Sequence, residues 1–198
     1  RKFLKYSGRF LENSSILRNG VPDVILNAQR EGYYFTDKRP PKFIYTSTPF
    51  RGLGVAVRIM ERIQCAMPLS TLDAYSGMEA YGEEYGNFES LYDICEATEG
   101  VRRYQPVAEP ELADHLCQSD IFLYPSTFEE TSCIALMEAL AAGCQIITSS
   151  LGALSETSVG FGRHVTMRPH KTFEERLFDE IIAVTEDSYQ EPRLAKKK

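Results

Sequence analysis

Apolar residues along the chain follow two alternating rhythms. The runs "FIYTS" (43–47), "STLDAYSG" (70–77), "VRRYQPV" (101–107), "DIFLYP" (120–125) and "CQIITSS" (144–150) are short, rich in β-branched and aromatic residues, and bounded by Gly, Pro, Ser or Asp. Each predicts a strand. Between them, "RGLGVAVRIMERIQCA" (51–66) sets Val55, Ile59, Ile63 and, just beyond, Met67 at helical spacing, and "EPELADHLCQS" (109–119) pairs Leu112 with Leu116. Both predict helices that cover a sheet face. Residues 132–142, a stretch from Ala153 or Leu154, and 173–185 predict further helices, with a short strand near 163–167. Short strands alternating with helices through short connections predict an α/β domain with a mostly parallel sheet flanked by helices.

The margins are less regular. "SSILRNGVPD" predicts an edge strand at Ser15–Arg18, a turn at Asn19-Gly20 and a short helix after Pro22, followed by the polar, proline-rich link "TDKRPPK". Asn and Gly both tolerate the left-handed backbone such a turn requires. "MEAYGEEYGNFESLYDICEATEG" (78–100) reads as an acidic, aromatic insertion, mobile around Ala80–Glu89, that leads into a short helix. The expected organisation is an unassigned segment at 1–13, one domain over 14–185 and a polar, basic tail at 186–198.

A chain of 198 residues can form a substantial core without disulfides. Its formal charge of −6 argues against a broad nucleic-acid surface and leaves room for a local basic pocket. No apolar run is long enough to span a bilayer, and "RKFLKYSGRFL" lacks the form of a secretory signal. Cys65, Cys95, Cys117, Cys133 and Cys144 have no metal-ligand spacing and read as reduced thiols, which places the expected location in the cytoplasm or on the cytoplasmic face of a membrane. His115, His164 and His170 fall in different elements, so structural or surface roles are expected and no metal site is predicted.

In parallel α/β sheets, ligands gather beyond the carboxyl ends of the strands. Four segments meet that condition: 46–52, 106–109, 125–133 and 149–154. In the third, Thr131 or Ser132 is positioned to cap the following helix, whose first N–H groups and positive end suit an anion; capping alone is the plainer reading. Arg51, at the start of another helix on the same edge, supplies a guanidinium for two-point phosphate recognition. Glu138 lies on the helical face of Thr131 and Ala135, with small Ala135 and Ala139 leaving room beside it and no basic residue at 134 or 142 to pair with it. Its carboxylate could accept two hydroxyls of a ribose. Glu130, in the loop before the helix, could bond sugar hydroxyls or stabilise positive charge at an anomeric carbon. As bare spacing, two glutamates with seven residues between them are a weak pattern.

The ordered set "NGVPD", "STPFRGL" and "ELADHLCQSDIFLYPSTFEETSCIALMEALAAGCQIITSSLGALSE" resembles the C-terminal, nucleotide-sugar-binding domain of retaining GT-B glycosyltransferases of glycosyltransferase family 4, over roughly residues 14–185. The resemblance implies a Rossmann-like domain, one half of a GT-B fold. It assigns Glu138 to the ribose hydroxyls, Glu130 to the transferred sugar and catalysis, and Arg51 to the diphosphate. The backbone of Thr131, Ser132 and Cys133 would complete the phosphate cradle. Backbone atoms near Val107 would read the base, with Tyr104 and Pro106 shaping that wall. Two positions depart from the family pattern: Thr131 stands where glycine usually follows the first glutamate, and the arginine of a "GR" opening is not evident at 46–48.

The implied reaction moves a sugar from a UDP-, GDP- or ADP-linked donor to a hydroxyl of a glycan, lipid or protein acceptor, with retention and without a metal or other cofactor. The acceptor-binding N-terminal domain of such enzymes has no counterpart before Ser14, so the chain is expected to be a donor-binding half, nearly inactive alone. Competing readings are half of a sugar-nucleotide epimerase or phosphorylase, and a non-catalytic sugar-nucleotide-binding module. A receiver-like domain fits poorly, because Asp73 and Asp120 lie on separate motifs without an early acidic pair.

Overall fold

A computed structural model of the protein describes residues 17–28, 39–78, 87–167 and 172–190. Strands β1 (Lys42–Thr46), β2 (Thr71–Tyr75), β3 (Val101–Tyr104), β4 (Ile121–Tyr124), β5 (Gln145–Ser149) and β6 (Arg163–Val165) form one parallel sheet. Their order is β3-β2-β1-β4-β5-β6. The helices are α1 (Asp23–Asn27), α2 (Leu53–Ala66), α3 (Glu89–Ala97), α4 (Glu109–Gln118), α5 (Ile134–Ala141), α6 (Leu154–Thr157) and α7 (Phe173–Gln190). Right-handed crossovers that run outward in opposite directions from β1 and β4 must leave their helices on opposite faces. Accordingly α2 packs with α3 and α7, and α1 packs with α4 and α5. The expected α/β, Rossmann-like sheet flanked by helices is therefore found.

Covering both faces explains why the central strands are apolar throughout rather than alternating. Phe43, Ile44 and Tyr45 of β1 and all of β4 are fully buried, and α2 adds Leu53, Ala56, Ile59, Met60 and Ile63 to the core. Strand order reverses between β1 and β4, so the loops that leave these two strands diverge and open a crevice at the carboxyl edge.

At the opposite edge one carboxylate holds the strands in register. Asp120, fully buried, accepts hydrogen bonds from Nη1 and Nη2 of Arg39 at 2.9 and 2.7 Å and from the Lys42 backbone N–H at 2.9 Å. Its own N–H donates to the Lys42 carbonyl, and its carbonyl accepts the Gln145 N–H. A single residue thereby joins the starts of β1, β4 and β5.

Some expectations need correction. Leu17 and Arg18 are not strand, and Leu17 is 96% exposed, while β3 and β6 occupy the sheet edges. The expected strand at Ser15–Arg18 is not made by its described part; Ser15, with the segment at 1–13, lies outside the described residues. The helix expected over 132–142 is α5, Ile134–Ala141, with Cys133 rather than Thr131 or Ser132 at its N-cap. The terminal helix runs on to Gln190 instead of stopping near Thr185, since nothing in "EDSYQE" breaks a helix before Pro192. The tail boundary at 186 therefore falls inside α7. Of the insertion, residues 79–86 lie outside the described residues and Glu89 opens α3.

Because Asp120 gathers charged hydrogen bonds at a buried point, Asp120→Ala is expected to lower stability by about 2–3 kcal/mol, discounted for the partial exposure of Arg39. Urea unfolding measures it; a loss within about 0.5 kcal/mol, the range of an ordinary surface change, would contradict the strand-tying role.

Candidate functional site

The loops after β1 and β4 meet at the reversal point. After Thr46 the chain passes through Ser47 and Thr48 into a single 3-10 turn, Pro49–Arg51, and enters α2 through Gly52 at φ 121°. A side chain at Gly52 would meet the Pro125 carbonyl oxygen at 2.4 Å, so glycine lets the two loops touch. Thr127 reaches the Phe50 carbonyl from the other loop at 3.4 Å.

This close approach brings Arg51 to Glu130. Glu130, on the loop between β4 and α5, is only 4% exposed. Its two carboxylate oxygens accept Nη1 of Arg51 at 3.0 and 3.2 Å, and Oε1 also accepts the Tyr124 hydroxyl at 2.6 Å. The Arg51 guanidinium lies 4.9 Å from the centre of the Phe128 ring and 5.5 Å from that of Phe50, two faces that favour a cation. The loop after β5 closes over the Glu130 backbone. Its carbonyl accepts the Ala153 N–H at 2.7 Å, and Gly152, at φ 58°, passes so near that a Cβ would lie 2.3 Å from that carbonyl oxygen.

Beside this cluster is a cavity of about 560 Å³ lined by Thr46, Ser47, Thr48, Tyr75, Gly77, Gln105, Pro106, Val107, Leu112 and Glu138. Each of the strands β1, β2 and β3 delivers a wall at its carboxyl end, and α5 delivers Glu138. Burial, and secondarily Glu109 on α4, raise the Glu138 carboxyl above the usual carboxylate range. The hydroxyl of buried Thr46 makes no hydrogen bond among the described residues. A mostly apolar cleft with a few convergent polar groups is the form of a small-molecule site.

The structure brings some of the sequence-predicted residues together and leaves others apart. Glu138 and Val107 share the cavity, with Pro106. Arg51 and Glu130 adjoin each other but are not among its lining residues. Thr131 is exposed, Ser132 is half-buried and Cys133 is buried at the N-cap of α5. Ser132 accepts a hydrogen bond from the Asn19 amide at 3.1 Å instead of capping the helix, which draws Asn19 up to the site; the expected turn at Asn19-Gly20 is not formed, and neither residue has a positive φ. Burial pushes the Cys133 thiol up to about 11, so it stays protonated at neutral pH. Tyr104 does not line the cavity; it stacks on Tyr75, rings 5.0 Å apart and 16° from parallel, and Tyr75 forms the wall. Sequence reasoning missed Tyr75 and Tyr124, which look like any other aromatic residue at a strand end.

The fold and crevice define a Rossmann-like α/β class of domain. Residues 77–187, more than half of the chain, match the model of the family described as glycosyl transferases group 1, and the protein belongs to that family. No curated protein sequence matches it. Among solved structures, it resembles WaaG, a glycosyltransferase involved in lipopolysaccharide biosynthesis, with TM-score 0.64 and 16% identity over 95% of this chain and 54% of that one. The sucrose-phosphate synthase of Thermosynechococcus elongatus gives TM-score 0.59 and 21% identity, over 75% of this chain and 37% of the other. HepE of Anabaena, solved in complex with UDP-glucose, gives 0.56 and 16%, over 74% and 39%. At these identities the likeness is one of fold, and the chain spans between about a third and about half of the solved chains it matches.

The Arg51–Glu130 contact yields a test of its own. Removing the cation leaves a buried carboxylate without its counter-charge, so Arg51→Ala is expected to cost about 3–5 kcal/mol at neutral pH. In a Glu130→Gln background the same replacement is expected to cost about 1 kcal/mol. Urea unfolding of the four variants gives the coupling; equal losses in both backgrounds would contradict the pairing.

Proposed function

We propose that this chain is the nucleotide-sugar-binding domain of a retaining glycosyltransferase, one half of a GT-B enzyme. The observation that carries this reading is the union of Glu138, Val107 and the β1 loop around one cavity, next to a buried glutamate paired with arginine. The partial coverage of the solved chains supports a further domain across the crevice, which would bring the glycan, lipid or protein acceptor. Without that domain the chain binds donor and transfers little.

In this reading the ribose hydroxyls donate to Glu138, and the base lies against Pro106 and the Val107 backbone. The diphosphate sits between Arg51 and the Thr131–Cys133 backbone at the N-terminal end of α5, where the helix dipole and the first N–H groups favour negative charge. Arg51 then faces two anions. As the nucleotide leaves, negative charge grows on the diphosphate, and the Arg51 guanidinium and the N–H groups stabilise that charge without a metal. Glu130 faces the transferred sugar and stabilises positive charge at its anomeric carbon while an acceptor hydroxyl attacks from the same face. The free cysteines fit a reducing compartment, and we place the enzyme in the cytoplasm or on the cytoplasmic face of a membrane.

Calorimetry with UDP, GDP and ADP and their sugar esters is expected to find one pair that binds. Glu138→Gln should weaken a nucleotide with intact ribose hydroxyls more than its dideoxy analogue; equal losses would indicate damage to α5 instead. Glu130→Gln should weaken the sugar ester yet leave the diphosphate unchanged or tighter, because it releases Arg51 from a competing anion. Equal weakening of both ligands would remove Glu130 from the sugar.

A pH series gives an independent check. The carboxylate, not the acid, accepts two hydroxyls, so nucleotide affinity should fall as pH drops through the raised titration range of Glu138, and Glu138→Gln should flatten that fall. Stability should move oppositely. A carboxyl whose pKa is higher folded than unfolded binds more protons in the folded state, so its contribution declines as pH rises from the unfolded value through the folded one. A pH profile of affinity identical in wild type and Glu138→Gln would contradict the ribose role.

A further inference from the structure

The cavity and Glu130 are joined by a side chain that neither the family assignment nor the donor-binding reading uses. Tyr124 is the last residue of β4 and fully buried. Its ring is held between Phe122, centroids 5.5 Å apart, and Tyr45, 5.7 Å apart. This packing fixes where its hydroxyl points. That hydroxyl lies 2.6 Å from Glu130 Oε1 and 3.4 Å from the Ser47 hydroxyl, and Ser47 lines the cavity.

The direction of the chain follows from proton count. A phenol has one proton, and an ionised carboxylate can only accept, so Tyr124 donates to Glu130 and leaves its lone pairs for Ser47 to donate into. Burial raises the Tyr124 pKa, and the bond to Glu130 raises it further, so the phenol keeps that proton. Arg51 bridges both oxygens of Glu130 from the opposite loop, but on a side chain that the diphosphate would also attract. Tyr124 has no such rival: its ring is locked in the sheet, and its bond to Oε1 is the shortest made by the carboxylate.

We propose that Tyr124 is a positioning residue for Glu130, holding Oε1 in place when Arg51 turns to the donor diphosphate, and that Ser47 links this hold to the occupied cavity. The inference rests on the donor-binding reading above. Its consequence is selective. The nucleotide portion is bound by other groups, so only the part of the donor that Glu130 faces should sense the loss of the Tyr124 hydroxyl.

The test is Tyr124→Phe in the full chain, which preserves the ring packing and removes one oxygen. With uridine diphosphate and uridine diphosphate glucose, or the guanosine or adenosine pair if that is the one bound, affinity for the diphosphate is expected to stay within about twofold. Affinity for the sugar ester should fall roughly tenfold, as for a lost hydrogen bond to a charged group. In the whole enzyme KM for the donor should rise by a comparable factor and kcat should fall, with KM for the acceptor changing less. Ser47→Ala should shift the same ratio in the same direction by a smaller factor, and it keeps the test intact if Tyr124→Phe folds poorly. Equal weakening of both ligands, or no change in either variant, overturns the inference alone. A wild-type chain that binds none of these ligands overturns it together with the reading on which it rests.

Discussion

Glu130 is a carboxylate almost closed to water, and that burial is tolerable only with a cation and a hydrogen-bond donor at fixed positions. Arg51 comes from the loop after β1, and Tyr124 from the end of β4 itself. The loop after β5 holds the backbone of Glu130 through Ala153 and the close passage of Gly152. Three of the loops at the carboxyl edge are thus drawn together around one negative charge, and the crevice at the strand-order reversal takes its shape from that meeting. A neutral residue at 130 would relieve the burial cost and also release the loops. In the proposed reading the same contact serves both the fold of the empty site and the chemistry of the filled one, since a diphosphate entering the crevice would compete for the guanidinium that holds Glu130.

The sheet was legible because a doubly covered parallel sheet leaves a simple trace: short apolar runs, each followed by a helix of period near 3.6. The strands at 42–46, 71–75 and 145–149 and the helix at 53–66 follow from that trace to within a residue or two. The segment at 14–20 misled for the same reason. Ile16-Leu17 flanked by polar residues looks like a short strand, yet Leu17 stands almost wholly in solvent and Asn19 reaches Ser132 instead. Pattern records which residues prefer burial, not which edge of a sheet is already taken.

Within the site, the residue types were legible and their relations were not. Glu130, Glu138 and Arg51 could be picked out because loop position and helical phase are local properties, whereas Val107 came only from the family resemblance. The pairing of Arg51 with Glu130 joins residues 79 apart, and no local pattern encodes it. Tyr124 was hidden by its ring, which satisfies the strand pattern so fully that its hydroxyl goes unnoticed. The exchange of Tyr104 for Tyr75 as the cavity wall has a similar origin: both end neighbouring strands in register, and only the folded structure shows which one lines the cavity.

In the proposed reading a nucleotide sugar occupies the carboxyl-edge crevice between β1 and β4. Amide NMR of the isotopically labelled chain, titrated with the nucleotide sugar that calorimetry selects, tests it most directly. Shifts should concentrate at residues 46–52, 105–107 and 130–138, with the Arg51 guanidinium resonance moving as well, while residues around Arg39 and Asp120 at the opposite edge stay still. Shifts centred on that opposite edge, or spread along the outer faces of α2 and α7, would contradict the account.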